Sequence, residues 1–366
     1  EKEDKGMSDR KKWLAGLLAG AMLGSALPGN AGGLSVSAAD SQFAGEEWYD
    51  QIDTVELNRE PAHAYFVPYE SSAKALQNEK SVLDTDEEES AYRISLNGEW
   101  YFKFAQNPAA REKKVRGAEA AAYVENWDVS GWDTIPVPSS VQAIKDEDGD
   151  FKYEKPIYTN QTYPWANYES VTLGENVTAP TVRNSVGQYK RTFTVPQDWD
   201  GREVFISFDG VDSFFYLWIN GKYVGFSKNS RNTANFNITP YLQKGRNTVA
   251  AEVYRSSDAS FLEAQDMFRL PGIFRTVALY SVPKVHFRDL VATPDLDAAY
   301  TDGVLTINAD IRNLDKKAVK NYKVYYSLYA NKLYSDENTL VDAVLSPVIE
   351  KIEPNGTGRI QTVFHV

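Results

Sequence analysis

Two segments of the sequence combine polar side chains with aromatic rings. Residues 156–164 read Pro-Ile-Tyr-Thr-Asn-Gln-Thr-Tyr-Pro, and residues 260–269 read Ser-Phe-Leu-Glu-Ala-Gln-Asp-Met-Phe-Arg. In each segment one polar group, Asn160 or Asp266, stands among aromatic residues. A carboxylate accepts hydrogen bonds from two hydroxyls, an amide both donates and accepts, and aromatic rings cover apolar C–H faces. This mixture suits a sugar-binding site, although turns and core packing use the same residue types.

Other kinds of site receive less support from the sequence. There is no cysteine, and the three histidines, His63, His286 and His365, are too far apart in the chain to indicate a multi-histidine metal site. No Gly-x-Ser-x-Gly elbow of a serine hydrolase occurs. Residues 146–150 read Asp-Glu-Asp-Gly-Asp like the start of a calcium loop, but Phe151 stands where an EF-hand requires glycine.

Length and charge restrict the class of protein and its partners. A chain of 366 residues has room for two or three domains. With 51 acidic and 39 basic residues the formal net charge is −12. An acidic surface repels nucleic-acid phosphates and anionic lipids, so neither is expected as a partner. Aromatic residues make up 13 % of the chain, and their rings can stack on sugar faces as well as fill a β-sandwich core.

The N-terminal region predicts export. After Met7 comes a basic stretch at 10–12, then an apolar run at 13–27, then small residues that end in Val-Ser-Ala at 36–38. This order is typical of a signal peptide over residues 7–39. The alternative is a single membrane anchor, but the apolar run is short for spanning a bilayer. We therefore expect a secreted, periplasmic or cell-surface protein with no membrane association beyond export.

Short strands separated by turns are the main pattern after the predicted signal. The clearest hairpin joins residues 214–219 to 222–227 through Asn220 and Gly221, which tolerate the positive φ angles of a type I′ turn. Helical periodicity after the signal occurs only at 71–83. Further strands are predicted at 189–195, 203–208, 248–254 and 276–281. Strands without intervening helices favour an all-β sandwich of the jelly-roll type.

A domain boundary is predicted at Pro283. The jelly roll would occupy residues 46–282, and residues 283–366 would form an immunoglobulin-like β-sandwich. In this second domain alternate residues are apolar: Leu305, Ile307, Ala309 and Ile311. An immunoglobulin-like domain needs about 100 residues. Fewer remain after Pro283, so we expect this sandwich to be incomplete.

Seven short segments of the sequence resemble motifs of the β-galactosidases of glycoside hydrolase family 2. They occur in the order typical of that family. They are residues 58–63, 96–100, 136–140, 156–164, 211–213, 218–225 and 272–275. The resemblance extends from about residue 46 to the end of the sequence. It implies a jelly roll, then an immunoglobulin-like domain, then a catalytic (β/α)₈ barrel, which we expect to lie beyond residue 366.

The resemblance also implies roles for individual residues. Asn160 and Asp266 match positions that contact galactosyl hydroxyls, and Asp266 also matches a sodium ligand. Family enzymes hydrolyse terminal β-D-galactosyl residues, such as those of lactose, with retention, which needs two carboxyl groups about 5–5.5 Å apart. These two glutamates lie on the barrel beside a magnesium ion, and no glutamate in this sequence matches their motifs. The resemblance therefore implies no catalytic residue here, an inactive chain on its own, and a family in which homo-oligomers are common.

Some residues near the expected sugar site depart from the family pattern. Residues 255–260 read Arg-Ser-Ser-Asp-Ala-Ser where Arg-Trp-Ser-Asp-Gly-Ser is usual. Ala264 replaces a usual aspartate, and Val141 replaces a usual tryptophan. Loss of the tryptophan removes packing surface, and alanine in place of glycine disfavours positive φ. The geometry of the loop before Asp266 is therefore expected to differ from the family pattern.

Three functions compete, and the resemblance favours the first. The chain could be the sugar-binding part of a β-galactosidase, a free-standing carbohydrate-binding module, or an inactive fragment. A coding sequence that continues into a barrel with two acidic motifs would favour the first.

Overall fold

The structure is a computed structural model that describes residues 47–78, 90–112, 127–166, 177–331 and 338–366. The predicted signal peptide at 7–39 lies outside these ranges. Within them the chain consists mainly of antiparallel strands, so the predicted all-β class is confirmed. No helix in the described ranges combines the length and apolarity needed to cross a bilayer.

Twenty-two strands are present in the described residues. Those before Pro283 are β1 (Glu56–Leu57), β2 (Arg93–Ser95), β3 (Gly98–Ala105), β4 (Asp133–Val137), β5 (Ile157–Thr159), β6 (Val186–Thr194), β7 (Glu203–Phe208), β8 (Val211–Asp212), β9 (Phe214–Ile219), β10 (Lys222–Ser227), β11 (Ala234–Asn237), β12 (Arg246–Tyr254), β13 (Met267–Arg269), β14 (Gly272–Ile273) and β15 (Val277–Val282). Those after it are β16 (Val285–Leu296), β17 (Gly303–Asn313), β18 (Val319–Tyr322), β19 (Tyr325–Asn331), β20 (Asn338–Leu345), β21 (Ile349–Ile352) and β22 (Thr357–His365).

Helical structure is limited to short pieces in the described residues. The α-helix α1 (Ser72–Asn78) lies within the segment 71–83 that was predicted as helical, and residues 79–83 are outside the described ranges. The single-turn 3₁₀ helices are Trp48–Asp50, Pro108–Ala110, Val141–Ala143, Gln197–Trp199, Thr239–Tyr241 and Asp258–Phe261. These pieces connect strands and do not form a layer of their own.

Two sheets form the sandwich that precedes Pro283. The seven-stranded sheet has the order β1-β10-β9-β12-β6-β3-β4, and the four-stranded sheet has the order β11-β7-β15-β2. They meet where Phe215 of the first sheet packs against Phe208 and Phe236 of the second, with ring centroids 4.8 and 6.0 Å away. All three rings are buried, so the apolar core lies between the sheets.

The seven-stranded sheet is buried on both faces at its centre. Every residue of β9 is buried, although alternate side chains point to opposite faces. The face away from the four-stranded sheet is covered by Trp48 and Tyr49, whose rings stack on Phe226 and Tyr254 at 5.5 and 4.6 Å. Burial on both faces explains why β9 reads as a continuous apolar run.

The predicted hairpin at Asn220 and Gly221 is confirmed. It joins β9 to β10, and the two residues have φ angles of 51° and 73°. Asn220 also ties the turn to its surroundings, because its amide donates to the Tyr241 carbonyl at 2.9 Å and accepts from the Thr248 amide at 2.8 Å. Local sequence and long-range contacts therefore favour the same turn.

A second set of sheets follows Pro283. The orders are β16-β17-β22, β18-β21 and β19-β20. Ile307, Ala309 and Ile311 of β17 point into a shared apolar core, which agrees with their predicted alternation. Tyr326 and Phe364 close this core with ring centroids 6.4 Å apart.

A segment that we call the strap, residues 60–68, contacts both sandwiches. Glu60 accepts a hydrogen bond from Arg312 at 2.6 Å, and Asp289 accepts one from the Ala64 amide at 2.8 Å. On its other side the strap places Phe66 edge-on against Tyr280, with ring centroids 5.8 Å apart. Contacts with the strap therefore link β15 to β16 and β17, in addition to the direct chain connection between β15 and β16.

Candidate functional site

The two aromatic segments predicted to bind sugar pair with each other. β5 and β13 form an antiparallel ribbon in which Thr159 faces Met267 and Tyr158 faces Phe268. Extending this register by one position places Asn160, which follows β5, opposite Asp266, which precedes β13. The structure therefore brings the two predicted site residues to the same end of one ribbon.

One face of this ribbon carries both polar groups and aromatic rings. Tyr158 and Phe268 face each other across the two strands, and the Tyr158 hydroxyl reaches Asp266 on that side. Asn160 lies in the bend that follows β5. The two rings are 5.3 Å apart and are 53 % and 59 % exposed. Exposed rings beside a carboxylate and an amide form a surface that can cover a sugar face and bind its hydroxyls.

Tyr158 orients the carboxylate of Asp266. Its hydroxyl donates to Asp266 Oδ1 at 2.7 Å, and this hydrogen bond raises the pKa of Tyr158. One carboxylate oxygen is therefore held from within the ribbon, while the other is available to a ligand. Asn160 is exposed and its side chain forms no hydrogen bond with another described residue.

A buried aromatic cluster joins the two segments behind the ribbon. Tyr163 and Trp165 stack with ring centroids 5.1 Å apart, and Phe261 lies 4.9 and 4.8 Å from them. Trp165 and Phe261 are both buried. The apolar contact fixes the chain on both sides of the site, which limits the movement of Asn160 and Asp266.

Arg269 holds the loop that leads to Asp266. Its guanidinium donates to the carbonyl of Glu263 at 2.6 Å and to the carbonyl of Gln265. Glu263 in turn accepts hydrogen bonds from the Ser230 amide at 3.1 Å and the Ser230 hydroxyl at 2.6 Å. Burial raises the pKa of Glu263. These contacts fasten the loop to the sandwich at positions immediately before Asp266.

The segment that departs from the family pattern, residues 255–260, is firmly packed. Asp258 forms an ion pair of 2.9 Å with Lys228, and both side chains are 2 % exposed. The Ser260 hydroxyl accepts a hydrogen bond from the Ser257 amide at 3.0 Å. Ala259 does not take a positive φ, so alanine is accommodated here without backbone strain.

Ser256, at the position of the usual tryptophan, is buried beside an open space. It lines a cleft of about 370 Å³ together with Trp165, Glu263 and Arg269. Arg255 forms a 2.7 Å ion pair with Glu154 at the start of this segment. At Ser256 this cleft is therefore lined by a small polar side chain where the family pattern has a large aromatic one.

A metal site is not formed by the described residues alone. No group of three or more histidine, cysteine, aspartate or glutamate side chains in these ranges is arranged to hold an ion. The acidic segment 146–150 is instead a turn in which Asp146 accepts from the Asp148 and Asp150 amides at 3.1 and 2.8 Å. Asp266 offers a single carboxylate and would need further ligands to hold sodium.

Sequence reasoning singled out Asn160 and Asp266 but not the residues that position them. Tyr158 lies in the aromatic segment 156–164, but its contact with Asp266 becomes visible only from the pairing of β5 with β13. Arg269 had no recognisable signal, because a buried arginine that binds backbone carbonyls cannot be told from an exposed one by sequence pattern.

Comparison with known families decides which group the chain belongs to. Residues 94–283 match the profile described as "Glycosyl hydrolases family 2, sugar binding domain". The chain belongs to this family. The match runs from β2 to the residue after β15 and includes both segments of the ribbon. This match confirms the resemblance to family 2 that the seven motifs indicated.

Relatives within family 2 are named as β-galactosidases. The chain is 46% identical over 267 residues to the "Beta-galactosidase" of Priestia megaterium (strain DSM 319 / IMG 1521), covering 73% of this chain and 24% of that protein. It is 32% identical over 283 residues to the "Beta-galactosidase large subunit" of Lactobacillus helveticus, covering 74% of this chain and 40% of that protein. The chain thus spans about a quarter to two fifths of the length of these relatives.

Solved structures of family 2 proteins share the fold. "Bacteroides uniformis beta-glucuronidase 2 covalently bound to cyclophellitol-6-carboxylate aziridine" aligns with a TM-score of 0.53 at 20% sequence identity, covering 75% of this chain and 28% of that chain. "The structure of a beta-glucuronidase from glycoside hydrolase family 2" aligns with a TM-score of 0.52 at 17% identity, covering 75% and 26%. At this identity the likeness concerns the sandwich fold alone.

Proposed function

We propose that this chain forms the galactosyl-contacting wall of a family 2 β-galactosidase that hydrolyses terminal β-D-galactosyl residues with retention. The proposal assigns to the chain binding and orientation of the sugar. Cleavage would come from two carboxyl groups about 5–5.5 Å apart on the barrel of a longer protein, one protonating the leaving oxygen and one attacking the anomeric carbon.

The single observation that carries the proposal is the ribbon face. Asp266 lies beside two exposed rings, Tyr158 holds one oxygen of its carboxylate, and Asn160 follows β5 at the same end of the ribbon. Vicinal hydroxyls of a galactosyl ring would bind the carboxylate and the amide, and Phe268 would cover a C–H face. The β-galactosidase names of relatives at 46% and 32% identity support galactose as the sugar.

A sodium ion is compatible with Asp266 as one ligand among several. The carboxylate is exposed and has one oxygen outside its bond to Tyr158, which fits a site that is completed by other groups. When bound, the ion would add a local positive charge that attracts sugar oxygens. The chain's own contribution is to hold the carboxylate in place. The magnesium ion implied by the resemblance belongs with the barrel glutamates in this proposal.

We expect the 366-residue chain to bind galactose or lactose with a millimolar or weaker Kd, because one open wall offers few converging polar groups. Asp266→Ala should weaken this binding about tenfold or more, since it removes hydrogen bonds worth about 1–3 kcal/mol each. Asp266→Asn keeps an acceptor for Tyr158 and should have a smaller effect. Titration followed by NMR chemical shifts measures all three Kd values.

The matched control is Asp148→Ala, which removes an exposed aspartate from a turn outside the ribbon. It should leave the Kd unchanged, and the melting temperatures of all variants should remain close to that of the parent chain. If Asp266→Ala lowers the melting temperature sharply without changing the sugar titration, then Asp266 is a structural residue and the assignment is wrong.

We expect the purified chain to give no turnover of a chromogenic β-galactoside, because no glutamate in it matches the family's catalytic motifs. The measurement is release of the chromophore against a buffer blank over many hours. Turnover that persists through stringent purification and disappears on replacing a residue of this chain would contradict the proposal.

A free-standing carbohydrate-binding module is the second candidate function. The exposed rings of Tyr158 and Phe268 favour it, because surface rings are typical of sugar-binding faces. Micromolar binding by the chain alone would support this reading over a wall that needs a barrel. For the longer enzyme we also propose export and formation of a homo-oligomer. The predicted signal peptide, residues 7–39, lies outside the described ranges.

A further inference from the structure

A second cleft lies between the outer face of the four-stranded sheet and the strap. The space inside it, including the part open to solvent, is about 470 Å³. None of its lining residues belongs to the β5–β13 ribbon. It is therefore separate from the galactosyl-contacting surface proposed above.

Small side chains form the floor of this cleft. Asn235 pairs with Ser207, and Ser207 pairs with Ala278, so the three residues make one row across β11, β7 and β15. The neighbouring residues Ile206 and Leu279 are fully buried on the inner face, which places this row on the outer face. Ser207 and Ala278 have small side chains, so this row leaves space above the sheet that larger side chains would fill.

Aromatic residues of the strap form one wall. Phe66 is fixed by its edge-on contact with Tyr280 at 5.8 Å, and Tyr65 beside it is 66 % exposed. His63 anchors the strap to the floor through a 3.1 Å contact between its Nε2 and the Asn235 amide nitrogen. The wall is thus held in place while presenting ring surface to the cleft.

Polar groups with complementary roles surround this ring surface. Arg93 is half-buried, lines the cleft, and forms no side-chain hydrogen bond or ion pair with any described residue. Asp209 accepts from the Ser207 hydroxyl at 2.6 Å and keeps a second carboxylate oxygen. Asn235, which is 7 % exposed, contributes an amide. The cleft therefore combines donors, an acceptor and one charge of each sign.

We propose that this cleft is a second carbohydrate site that binds a neutral saccharide unit. Arg93 and Asn235 donate to hydroxyl oxygens, Asp209 accepts from a hydroxyl, and Tyr65 covers a C–H face. The Asp209 carboxylate would repel an anionic ligand, and the Arg93 guanidinium would repel a cationic one. One charge of each sign therefore favours a neutral polyhydroxyl ligand. The site goes beyond the proposed function because it requires neither Asp266 nor a barrel.

The test titrates the full chain with lactose, cellobiose, maltose and xylobiose and follows the backbone amides of Asn235 and Ala278 by NMR. At least one of these sugars should shift both amides in a saturable way. Arg93→Gln and Tyr65→Ala should each weaken that binding about tenfold or more, as expected for a lost charged hydrogen bond or a lost stacking ring. The melting temperature of each variant is measured alongside, so that loss of binding is separated from loss of folding.

Two control variants separate the cleft from the ribbon. Tyr101→Ala removes a 43 % exposed ring from β3 and should leave the cleft titration unchanged. Asp266→Ala should also leave it unchanged, whatever it does to galactoside binding at the ribbon. The proposal is overturned if none of the four sugars shifts the Asn235 and Ala278 amides, or if the shifts disappear in Asp266→Ala.

Discussion

Replacing Lys228 by methionine is expected to lower the free energy of unfolding by about 3–5 kcal/mol, because it leaves a buried carboxylate without its counter-charge. The ammonium of Lys228 lies 2.9 Å from Asp258, and both side chains are 2 % exposed. Burial raises the pKa of Asp258, and the hydrogen bond and charge of Lys228 oppose that rise. Lys228 also donates to the Gln51 carbonyl at 2.6 Å, and the variant loses that hydrogen bond as well.

Urea denaturation of the parent chain and of Lys228→Met measures this loss. The control is Lys152→Met, which removes a lysine 3.0 Å from Asp133 in a pair whose side chains are 36 % and 44 % exposed. That exposed pair is expected to contribute less than about 1 kcal/mol. Equal losses in the two variants would show that burial of the Lys228–Asp258 pair has no energetic consequence.

The double variant Lys228→Met/Asp258→Leu distinguishes an unpaired charge from lost packing. It should recover much of the stability lost by Lys228→Met, because no charge then remains buried.

The Lys228–Asp258 pair also affects the β5–β13 ribbon. Asp258 begins the 3₁₀ turn Asp258–Phe261, and Phe261 packs in the aromatic cluster behind the site. Lys228→Met should therefore weaken sugar binding even in molecules that remain folded.

Local patterns were sufficient for the parts of the fold that are determined locally. The hairpin at Asn220 and Gly221 depends on two residues that tolerate positive φ, and the structure has that turn. The alternation of Ile307, Ala309 and Ile311 also matches the core of the second set of sheets. In both places a few adjacent residues carry the information.

Local sequence patterns do not predict that both faces of β7 are buried. Alternation at 203–208 predicts Val204, Ile206 and Phe208 on one buried face, yet every residue of β7 is buried. The strap covers the outer face of the four-stranded sheet, and it precedes β7 by more than 130 positions in the chain. The cleft beneath it has no signal in the sequence for the same reason.

The candidate site shows the same division. The residue types and the family resemblance selected Asn160 and Asp266, because their chemistry and motifs are visible in short segments. Their pairing across one ribbon and the bond from Tyr158 depend on a register between strands 108 positions apart. The role of Arg269 depends on its burial, which no local pattern indicated.

The stability of the chain is expected to decrease between pH 6.5 and pH 4 because of His286. This residue is 9 % exposed, packs against Phe205 with ring centroids 6.1 Å apart, and donates from Nδ1 to the Pro283 carbonyl at 2.9 Å. Burial lowers its pKa to about 4; the charge of Arg312 acts in the same direction, and the Pro283 bond, Glu60 and Glu203 oppose it.

The sign of the effect follows from which state takes up the proton. In the unfolded chain a histidine has a pKa of about 6.5, so between that value and about 4 the unfolded chain binds a proton that the folded chain does not. The stabilisation is complete above pH 6.5 and falls by about 3 kcal/mol by pH 4, with little further change from this residue below that. His286→Gln keeps a donor for the Pro283 carbonyl but cannot titrate. The free energy of unfolding of His286→Gln should therefore fall less than that of the parent chain over this window, whereas His365→Gln, at an exposed position in β22, should follow the parent. If the parent and His286→Gln lose the same free energy between pH 7 and pH 4, then His286 is not held neutral by its burial beneath the strap.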